Sequence, residues 1–269
     1  MLKINRKYAI VLAIVACSSF QAEAKAASIS MLGTANNFGV LGGSTVTNTG
    51  PSVIMQSLGV NAGSSATGFS PGIVNGTIFT SDPVAAQAQL DNATAYNYLA
   101  ALSPTKELTG LDLGGMTLTP GVYSFSSSAQ LTGKLTLDNL GDPNALFVFQ
   151  IASTLTTASY SSVVTTNGEA ANVFFQIGSS ATLGTYTQFK GNILALTSIT
   201  LTTGVNIECG RTLAQNGAVT MDTNNVSSTC DTKPQEMAVV PEPDSSLGVL
   251  GSGMMGLVFA FRKRFRKGW

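Results

Sequence analysis

The stretch TLGTYTQFKGNILALTSITLTT, residues 182–203, begins and ends with the same pattern: Thr, Leu, any residue, Thr. A third full copy starts at position 154, and looser copies, with Asn for the last Thr or Met for Leu, start at positions 136 and 220. The five starts are 18, 28, 18 and 20 residues apart, and the longest interval holds an extra excursion around Thr165–Gly168. A unit of 18–20 residues with three short strands is one coil of a β-solenoid. The sequence therefore predicts a mainly β fold built as a solenoid.

The two-residue period of a strand assigns the residues of each copy to the inside or the outside of the solenoid. The positions predicted to point inward and stack are Leu155, Leu183, Leu201 and Met221. The outward positions are threonines: Thr154, Thr156, Thr182, Thr200 and Thr202. With coils about 4.7–4.9 Å apart, these threonines predict a flat, uncharged array of hydroxyl and methyl groups, interrupted at Asp138, Gly184 and Asp222. The alternative is that Thr is simply a good strand residue.

The composition excludes several classes of function. The chain has 269 residues, 14 Lys and Arg against 14 Asp and Glu, and no histidine. Zero net charge removes the basic surface that nucleic-acid binding needs. The absence of His excludes a Ser-His-Asp triad and His-ligated metal sites. We therefore predict a protein that is not an enzyme, has no cofactor and holds no metal.

Few charged residues fall in the second half of the predicted solenoid, which argues against a carboxylate-based polysaccharide enzyme. Between positions 140 and 225 they are Asp142, Glu169, Lys190, Glu208, Arg211 and Asp222. Asp142 is expected in a turn before a strand. Glu208 and Arg211 are expected to pair with each other or to cap the solenoid end.

One segment departs from the strand pattern. Ser81-Asp-Pro83 predicts a helix start, because Ser can cap a helix and Pro fits its first turn. Ser103-Pro104 ends the helix. The inner stripe is predicted from its apolar residues: Val84, Ala88, Ala95, Tyr98 and Leu102. The result is a helix of about 20 residues that lies along the body and covers apolar surface.

Residues 1–26 are typical of a secretory signal peptide, with a basic head, an apolar core and small residues before a cut after Ala24 or Ala26. The segment IVAC, residues 14–17, also fits a lipoprotein box, so lipidation at Cys17 is an alternative. Residues 27–231 then form one folded domain, followed by a linker at 232–240. Cys209 and Cys230 remain after processing, and an even count in an exported protein indicates a disulfide rather than a zinc site.

Residues 241–269 begin with a short motif of three residues, Pro241, Glu242 and Pro243. An apolar stretch from Leu247 to Phe261 and the basic cluster Arg262–Lys267 follow it. This order resembles the PEP-CTERM sorting tail of Gram-negative bacteria. The resemblance implies an exported protein whose precursor is held in the inner membrane by this tail. The implied partners are signal peptidase and a sorting enzyme, exosortase, after whose action the protein stays at the cell surface or is secreted. A plain tail anchor is the alternative.

Several segments together resemble the microbial ice-binding-protein family with a discontinuous β-solenoid fold. They run in order from about Ser30 to Asn225: LGTANNFGVL (32–41), GSTVTNTG (43–50), TGFSPG (67–72), LTGLDLGG (108–115), LTPGVY (118–123), GDPNALFVFQ (141–150), GNILA (191–195) and GRTLAQNGAV (210–219). The resemblance implies a right-handed triangular solenoid with the long helix packed alongside. It also implies a flat ice-binding face, often with a Thr-Ala/Gly-any-Thr/Asn repeat, which Thr203-Gly-Val-Asn206 matches.

The function expected from the residues and the resemblance is ice binding, for antifreeze activity or inhibition of recrystallisation, with ice or ordered water as the partner. The candidate ice-binding residues are Thr154, Thr156, Thr157, Thr182, Thr185, Thr200, Thr202, Thr203, Asn206, Thr220 and Thr223. The alternative is a cell-surface or biofilm-matrix adhesin that contacts exopolysaccharide, with Tyr160 and Tyr186 stacking on sugar rings.

Overall fold

The computed structural model describes residues 31–168 and 172–230. Within them lie a 3-10 helix, η1 (Gly33–Asn37), and one long helix, α1 (Pro83–Ala101). The strands are β1 (Phe38–Gly42), β2 (Thr45–Thr49), β3 (Val53–Ile54), β4 (Ser57–Val60), β5 (Ser65–Thr67), β6 (Ile73–Val74), β7 (Ile78–Thr80), β8 (Lys106–Glu107), β9 (Thr117–Leu118), β10 (Gly121–Phe125), β11 (Ala129–Leu131), β12 (Lys134–Asp138), β13 (Phe147–Ile151), β14 (Leu155–Thr157), β15 (Ser162–Thr166), β16 (Val173–Ile177), β17 (Ala181–Leu183), β18 (Gln188–Lys190), β19 (Asn192–Ala195), β20 (Ile199–Leu201), β21 (Asn206–Glu208), β22 (Thr212–Ala214), β23 (Val219–Asp222) and β24 (Asn225–Val226).

These strands form three parallel sheets, and each coil in β1–β6 and β10–β24 contributes one strand to each sheet. Sheet A has the order β7-β4-β1-β22-β19-β16-β13-β10-β8, sheet B the order β11-β14-β17-β20-β23-β2-β5, and sheet C the order β6-β3-β24-β21-β18-β15-β12-β9. A coil such as β19, β20, β21 therefore passes once through A, B and C. The three sheets give the predicted solenoid, and one circuit takes 18 residues from Thr182 to Thr200 and 20 from Thr200 to Thr220, as the repeat predicts. The copy that starts at position 136 is wrong as a member of this series, because it lies on β12 of sheet C. Asp138 therefore does not interrupt the outward threonines of sheet B.

The order of the coils along the solenoid differs from their order in the sequence. The first coil, β1 to β3, pairs with the last, β22 to β24, through Val40 with Thr212, Thr47 with Thr220 and Val53 with Asn225. The chain then extends the solenoid through β4 to β7, crosses by α1 to the other end, and winds back from β8. We call the junction between the first and last coils the seam. It makes the solenoid discontinuous, as the family resemblance implies.

The solenoid interior holds stacks of equivalent side chains from successive coils. Leu155, Leu183, Leu201 and Met221 are all buried, which confirms the inward positions predicted from the repeat. Leu183 lies beside Leu201 in the ladder as predicted, but Leu155 does not join them, because it pairs in register with Ala181. Inside sheet A the ring of Phe149 stacks on that of Phe175, with 4.5 Å between centroids. Since each coil places its apolar residues directly above those of the previous coil, the core is continuous from end to end.

Helix α1 lies against the outer side of sheet A, as predicted, but with a different face inward. Ala88 and Ala95 are buried among Phe38, Val148 and Phe174 of the sheet and η1 region. Val84 and Tyr98 were predicted to face inward and are instead exposed, Tyr98 by 53%. The spacing of the apolar residues predicted the wrong inner face, because the face that packs on the sheet contains two polar residues.

Those two residues are held by hydrogen bonds to the sheet. Gln89 Nε2 donates to the carbonyl of Ala214 at 3.0 Å, and Asn92 Nδ2 donates to Gln215 Oε1 at 3.1 Å. A hydrogen-bonded amide can be buried at little cost, so the helix turns this side to the sheet. The N-cap is Asp82 rather than Ser81, since the Asp82 carboxylate accepts from the Val84 N–H at 2.8 Å.

The cysteine prediction holds in the structure, and one predicted ion pair does not. Cys209 and Cys230 form a disulfide. Glu208 pairs with Lys190 at 3.6 Å, not with Arg211. Arg211 donates from Nε to the carbonyl of Asn36 and from Nη1 to Asn192 Oδ1, both at 3.0 Å. Arg211 directly precedes β22 of sheet A, whereas Glu208 is the last residue of β21 in sheet C. The two side chains therefore contact different sheets.

The predicted targeting segments lie outside the described residues. They are the signal peptide, the 232–240 linker and the sorting tail with its motif Pro241, Glu242 and Pro243. Within the part of the chain that the structure describes, no helix is long and apolar enough to cross a membrane.

The turn predicted at Asp142 is present in the structure. The Asp142 carboxylate accepts from the Asn144 N–H at 2.8 Å, and the turn precedes β13. Asp142 therefore shapes the entry of the chain into sheet A.

Candidate functional site: the threonine face

The outer side of sheet B carries a straight row of threonines, which we call the central row. It consists of Thr156, Thr182, Thr200, Thr220, Thr47 and Thr67, with Gln130 at one end. Each member is paired in register with the next through the parallel ladder. Along each strand the neighbouring side chains point into the core, except after Thr67, where Gly68 follows, so the hydroxyl and methyl groups point to solvent. We call this outer side of sheet B the threonine face.

Two of the six threonines come from a part of the chain that the repeat did not reveal. Thr47 lies opposite Thr220 across the seam, and Thr67 lies opposite Thr47. A local signal was present, because Thr45-Val-Thr-Asn-Thr49 alternates threonine with residues that prove to be buried. Its spacing from the other copies gave no reason to place it beside Thr220.

A second row borders the central row at the start of each strand. Thr154 belongs to it, and its Oγ1 donates to Ser128 Oγ of the neighbouring coil at 2.9 Å. Thr45 and Ser65 occupy the equivalent positions at the other end. These small side chains leave the border of the face uncharged.

The prediction that Thr157 lies on the face is wrong, because its side chain points into the core. It is 3% exposed and is paired with the buried Leu131. Its hydroxyl lies 2.9 Å from Thr187 Oγ1 and accepts from the Gly184 N–H at 2.9 Å. Adjacent residues of a strand face opposite sides, so Thr156 and Thr157 could not both lie on the face.

Asn206 was also predicted on the face and lies elsewhere. It is 6% exposed and belongs to β21 of sheet C. Its Nδ2 donates to Gln188 Oε1 at 3.0 Å, and its Oδ1 accepts from Asn225 Nδ2 at 2.9 Å. Asn206 is thus one step of an amide ladder that joins three coils. The motif Thr203-Gly-Val-Asn206 spans the corner between sheets B and C. Its first residue therefore lies beside sheet B and its last residue lies in sheet C.

The remaining predicted residues lie along the corner where sheet B turns into sheet C. Thr185, Thr202 and Thr203 are partly exposed and Thr223 is exposed. Thr202 Oγ1 donates to the carbonyl of Leu183 at 2.7 Å, which bends its hydroxyl back toward the sheet. This corner therefore contributes threonines whose hydroxyls are already bonded, in contrast to the central row.

Tyr160 and Tyr186 stand at the same corner, not within the strands of sheet B. Their rings stack with 5.3 Å between centroids, and both residues have positive φ, 60° and 58°. Tyr160 is 68% exposed. The central row passes beside this pair and stays uninterrupted.

The only charged residue in the strands of sheet B that the structure describes is Asp222. Hydrogen bonds from the Thr203 and Thr223 hydroxyls hold the pKa of its carboxyl below the ordinary value. Within the described ranges no group of three or more Cys, Asp or Glu could hold a metal ion. What the face offers chemically is a rigid array of hydroxyl and methyl groups at regular spacing.

The class of protein is thus a three-sided parallel β-solenoid with a helix on one side and a threonine-covered sheet on another. The chain belongs to the ice-binding-like family, whose model matches residues 40–227. A second model, the PEP-CTERM protein-sorting motif, matches residues 239–264 and confirms the tail recognised in the sequence. That match includes Pro241, Glu242 and Pro243, the motif with which the tail begins.

Relatives and solved structures agree with this assignment. The chain is 86% identical over 269 residues, all of both chains, to an ice-binding protein of Nostoc sp. (strain HG1). It is 34% identical to an ice-binding protein of Leucosporidium sp. (strain AY30), covering 68% of this chain and 78% of that one. The crystal structure of an ice-binding protein from Antarctomyces psychrotrophicus has a TM-score of 0.71 and 43% identity, covering 75% of this chain and 98% of that one. One from an Antarctic biological consortium has a TM-score of 0.70 and 50% identity, covering 72% and 89%.

Proposed function

We propose that this protein adsorbs to ice through the threonine face and thereby limits ice growth and recrystallisation. The observation that carries the proposal is the central row, six threonines in register on consecutive strands of sheet B. The names of the relatives reported above support it, since each is an ice-binding protein. None of those names supports an exopolysaccharide adhesin.

The physical argument rests on the regularity of the face. Methyl groups order the water beside them and hydroxyls hydrogen-bond to it, so a repeating array of both can hold a layer of water in an ice-like arrangement. Each threonine contributes little, but β-branched side chains on a hydrogen-bonded sheet lose little freedom on binding. Ice between adsorbed molecules must then grow with a curved front, which lowers its freezing point. This role requires no catalytic group, and we propose that the protein is not an enzyme.

The residues proposed to contact ice are the central row and its borders. The inner set is Thr47, Thr67, Thr154, Thr156, Thr182, Thr200 and Thr220, and the corner set is Thr185, Thr202, Thr203 and Thr223. Thr157 and Asn206 are excluded because both are buried.

The test is direct. The domain 27–231, expressed by secretion so that its disulfide forms, is added to a single ice crystal at known concentrations. We expect faceted crystals and a gap between the melting and freezing temperatures that grows with concentration. Round crystals with no gap at high concentration, from protein with an intact cooperative unfolding transition, would overturn the proposal.

We further propose that the protein is exported and reaches the cell surface or the medium after its sorting tail is processed. The PEP-CTERM match supports this route. An antibody against the domain should find it outside the inner membrane in cells with an active sorting enzyme. Cells that lack the enzyme should retain a longer form in the membrane fraction, and equal processing in both would contradict the route.

A further inference from the structure

Asp222 is a carboxylate on a surface otherwise made of hydroxyls and methyls. It lies on β23 two residues after Thr220, with the buried Met221 between them. Its side chain therefore points to the same side as the central row. A charge on a surface that binds ice loses part of its hydration, which costs free energy. Hydrogen bonds from neighbouring groups of the protein can offset this cost.

Two threonine hydroxyls donate to the carboxylate, and a third threonine, Thr49, lies opposite Asp222 in the ladder and also lowers the pKa of the carboxyl. Thr203 Oγ1 donates to Asp222 Oδ2 at 2.5 Å, from the neighbouring coil. Thr223 Oγ1 donates to Asp222 Oδ1 at 3.0 Å. The Asp222 N–H is held in turn by Asn224 Oδ1 at 2.6 Å. Each carboxylate oxygen thus receives one hydroxyl hydrogen, at the corner where sheet B ends.

These bonds decide what the two threonines can offer to water. A threonine hydroxyl has one hydrogen and two lone pairs. Once the hydrogen points to Asp222, the hydroxyl presents only acceptor positions outward, and its rotamer is fixed by a charge-assisted bond. Hydroxyls of the central row have no such carboxylate beside them and can turn to either role.

We propose that Asp222 is a positioning residue of the ice-binding face, which fixes the hydroxyls of Thr203 and Thr223 as acceptors toward ordered water. The inference rests on the proposed ice-binding function. It assigns Asp222 a part in ice binding although its own carboxylate is directed at protein hydroxyls. Gly50 supports the arrangement from the coil across the seam, because a Cβ there would lie 2.3 Å from Thr223 Oγ1.

The test uses Asp222→Asn, which keeps the shape of the side chain. The amide has one oxygen that can accept a hydroxyl hydrogen, and its NH₂ group replaces the second acceptor with a donor. We expect thermal hysteresis at equal concentration to fall by less than roughly half, because one of the two ordered hydroxyls is released while the central row is unchanged. The melting temperature should stay within roughly 3 °C. Asp138→Asn is the matched control: Asp138 accepts from the Leu140 N–H and from Asn167 Nδ2 on sheet C, so the same loss of charge there should leave hysteresis unchanged.

A coupling measurement separates positioning from a merely structural role. In a Thr203→Val/Thr223→Val background the methyls remain and the hydroxyls are gone, so Asp222→Asn should have no further effect on hysteresis. If hysteresis falls equally in both backgrounds, or only in proportion to a lower melting temperature, the inference is wrong. Full activity of Asp222→Asn in an active wild-type background would also overturn it. An inactive wild-type domain would instead refute the proposed function itself.

Discussion

Thr47 and Thr220, from the first and last coils of the solenoid, lie side by side in one parallel ladder of sheet B. The next pairs outward are Thr67 on one side and Thr200 on the other. The threonine face thus crosses the seam without a break. A surface that has to match a crystal gains from this continuity, because its two halves share one register.

The continuity of the face predicts that Thr47 matters as much as Thr220. A Tyr in place of either would stand above the plane of the central row and lift the face from ice. We expect Thr47→Tyr and Thr220→Tyr to lower thermal hysteresis to a similar extent, roughly tenfold. If Thr47→Tyr were fully active while Thr220→Tyr was not, the working surface would end at β23.

The central row predicts a strong effect of bulky residues at its middle. In Thr182→Tyr/Thr200→Tyr two large rings replace neighbouring threonines paired in register. We expect ice shaping to be lost, with hysteresis reduced more than roughly tenfold, while circular dichroism stays unchanged. Thr166→Tyr, at an exposed position of β15 in sheet C, is the matched control and should keep full hysteresis.

The inward position of Thr157 predicts a stability defect without a functional one. Thr157→Val keeps the shape but removes the hydroxyl that accepts from the Gly184 N–H and contacts Thr187. Leaving a buried donor unpaired should lower the free energy of unfolding by about 1–3 kcal/mol, measured by denaturant titration. Hysteresis below the unfolding transition should be unchanged, and a selective loss of hysteresis would put Thr157 back on the face.

The disulfide predicts that the last coil depends on oxidation. Cys209 and Cys230 are separated by 21 positions, and a link closing a loop of this size stabilises a fold by about 3 kcal/mol. Cys209→Ser/Cys230→Ser should unfold at correspondingly lower denaturant concentration. Reductant should shift the wild type toward the double variant and leave the variant itself unaffected. An equal response of both proteins to reductant would argue against this role.

Acid should weaken the B–C corner through Asp222. The pKa of its carboxyl in the fold is below the ordinary 3.8 because Thr203 and Thr223 donate to it. The fold therefore stabilises the ionised carboxylate more than the protonated acid. This stabilisation is present above the pKa that Asp222 has in the unfolded chain, and it is lost as the pH falls through the pKa in the folded protein. Below about pH 4, the wild type should lose more stability than Asp222→Asn. A larger loss in the variant would contradict this linkage.

Local patterns in the sequence were enough to predict the coil and the inside of the fold. The alternation around Leu155, Leu183 and Leu201 gives the inward side, because the two-residue period of a strand is local. The start of the helix also follows from neighbouring residues, since Pro83 has no N–H to lose at a first turn. The family resemblance added the discontinuous order of the coils.

The tertiary structure alone decided which residues share the face. Thr47 joins Thr220 only because the first coil docks against the last, a pairing between distant segments that no repeat length encodes. Thr157 points inward because it alternates with Thr156 along β14, and inside it contacts the hydroxyl of Thr187. Asn206 is buried on sheet C through its hydrogen bond to Gln188 of the neighbouring coil. Gln89 and Asn92 turn the helix for the same reason. The sequence by itself determined the period and the residue types; side-chain hydrogen bonds between coils, whose partners lie a circuit or more away, determined where the polar residues point.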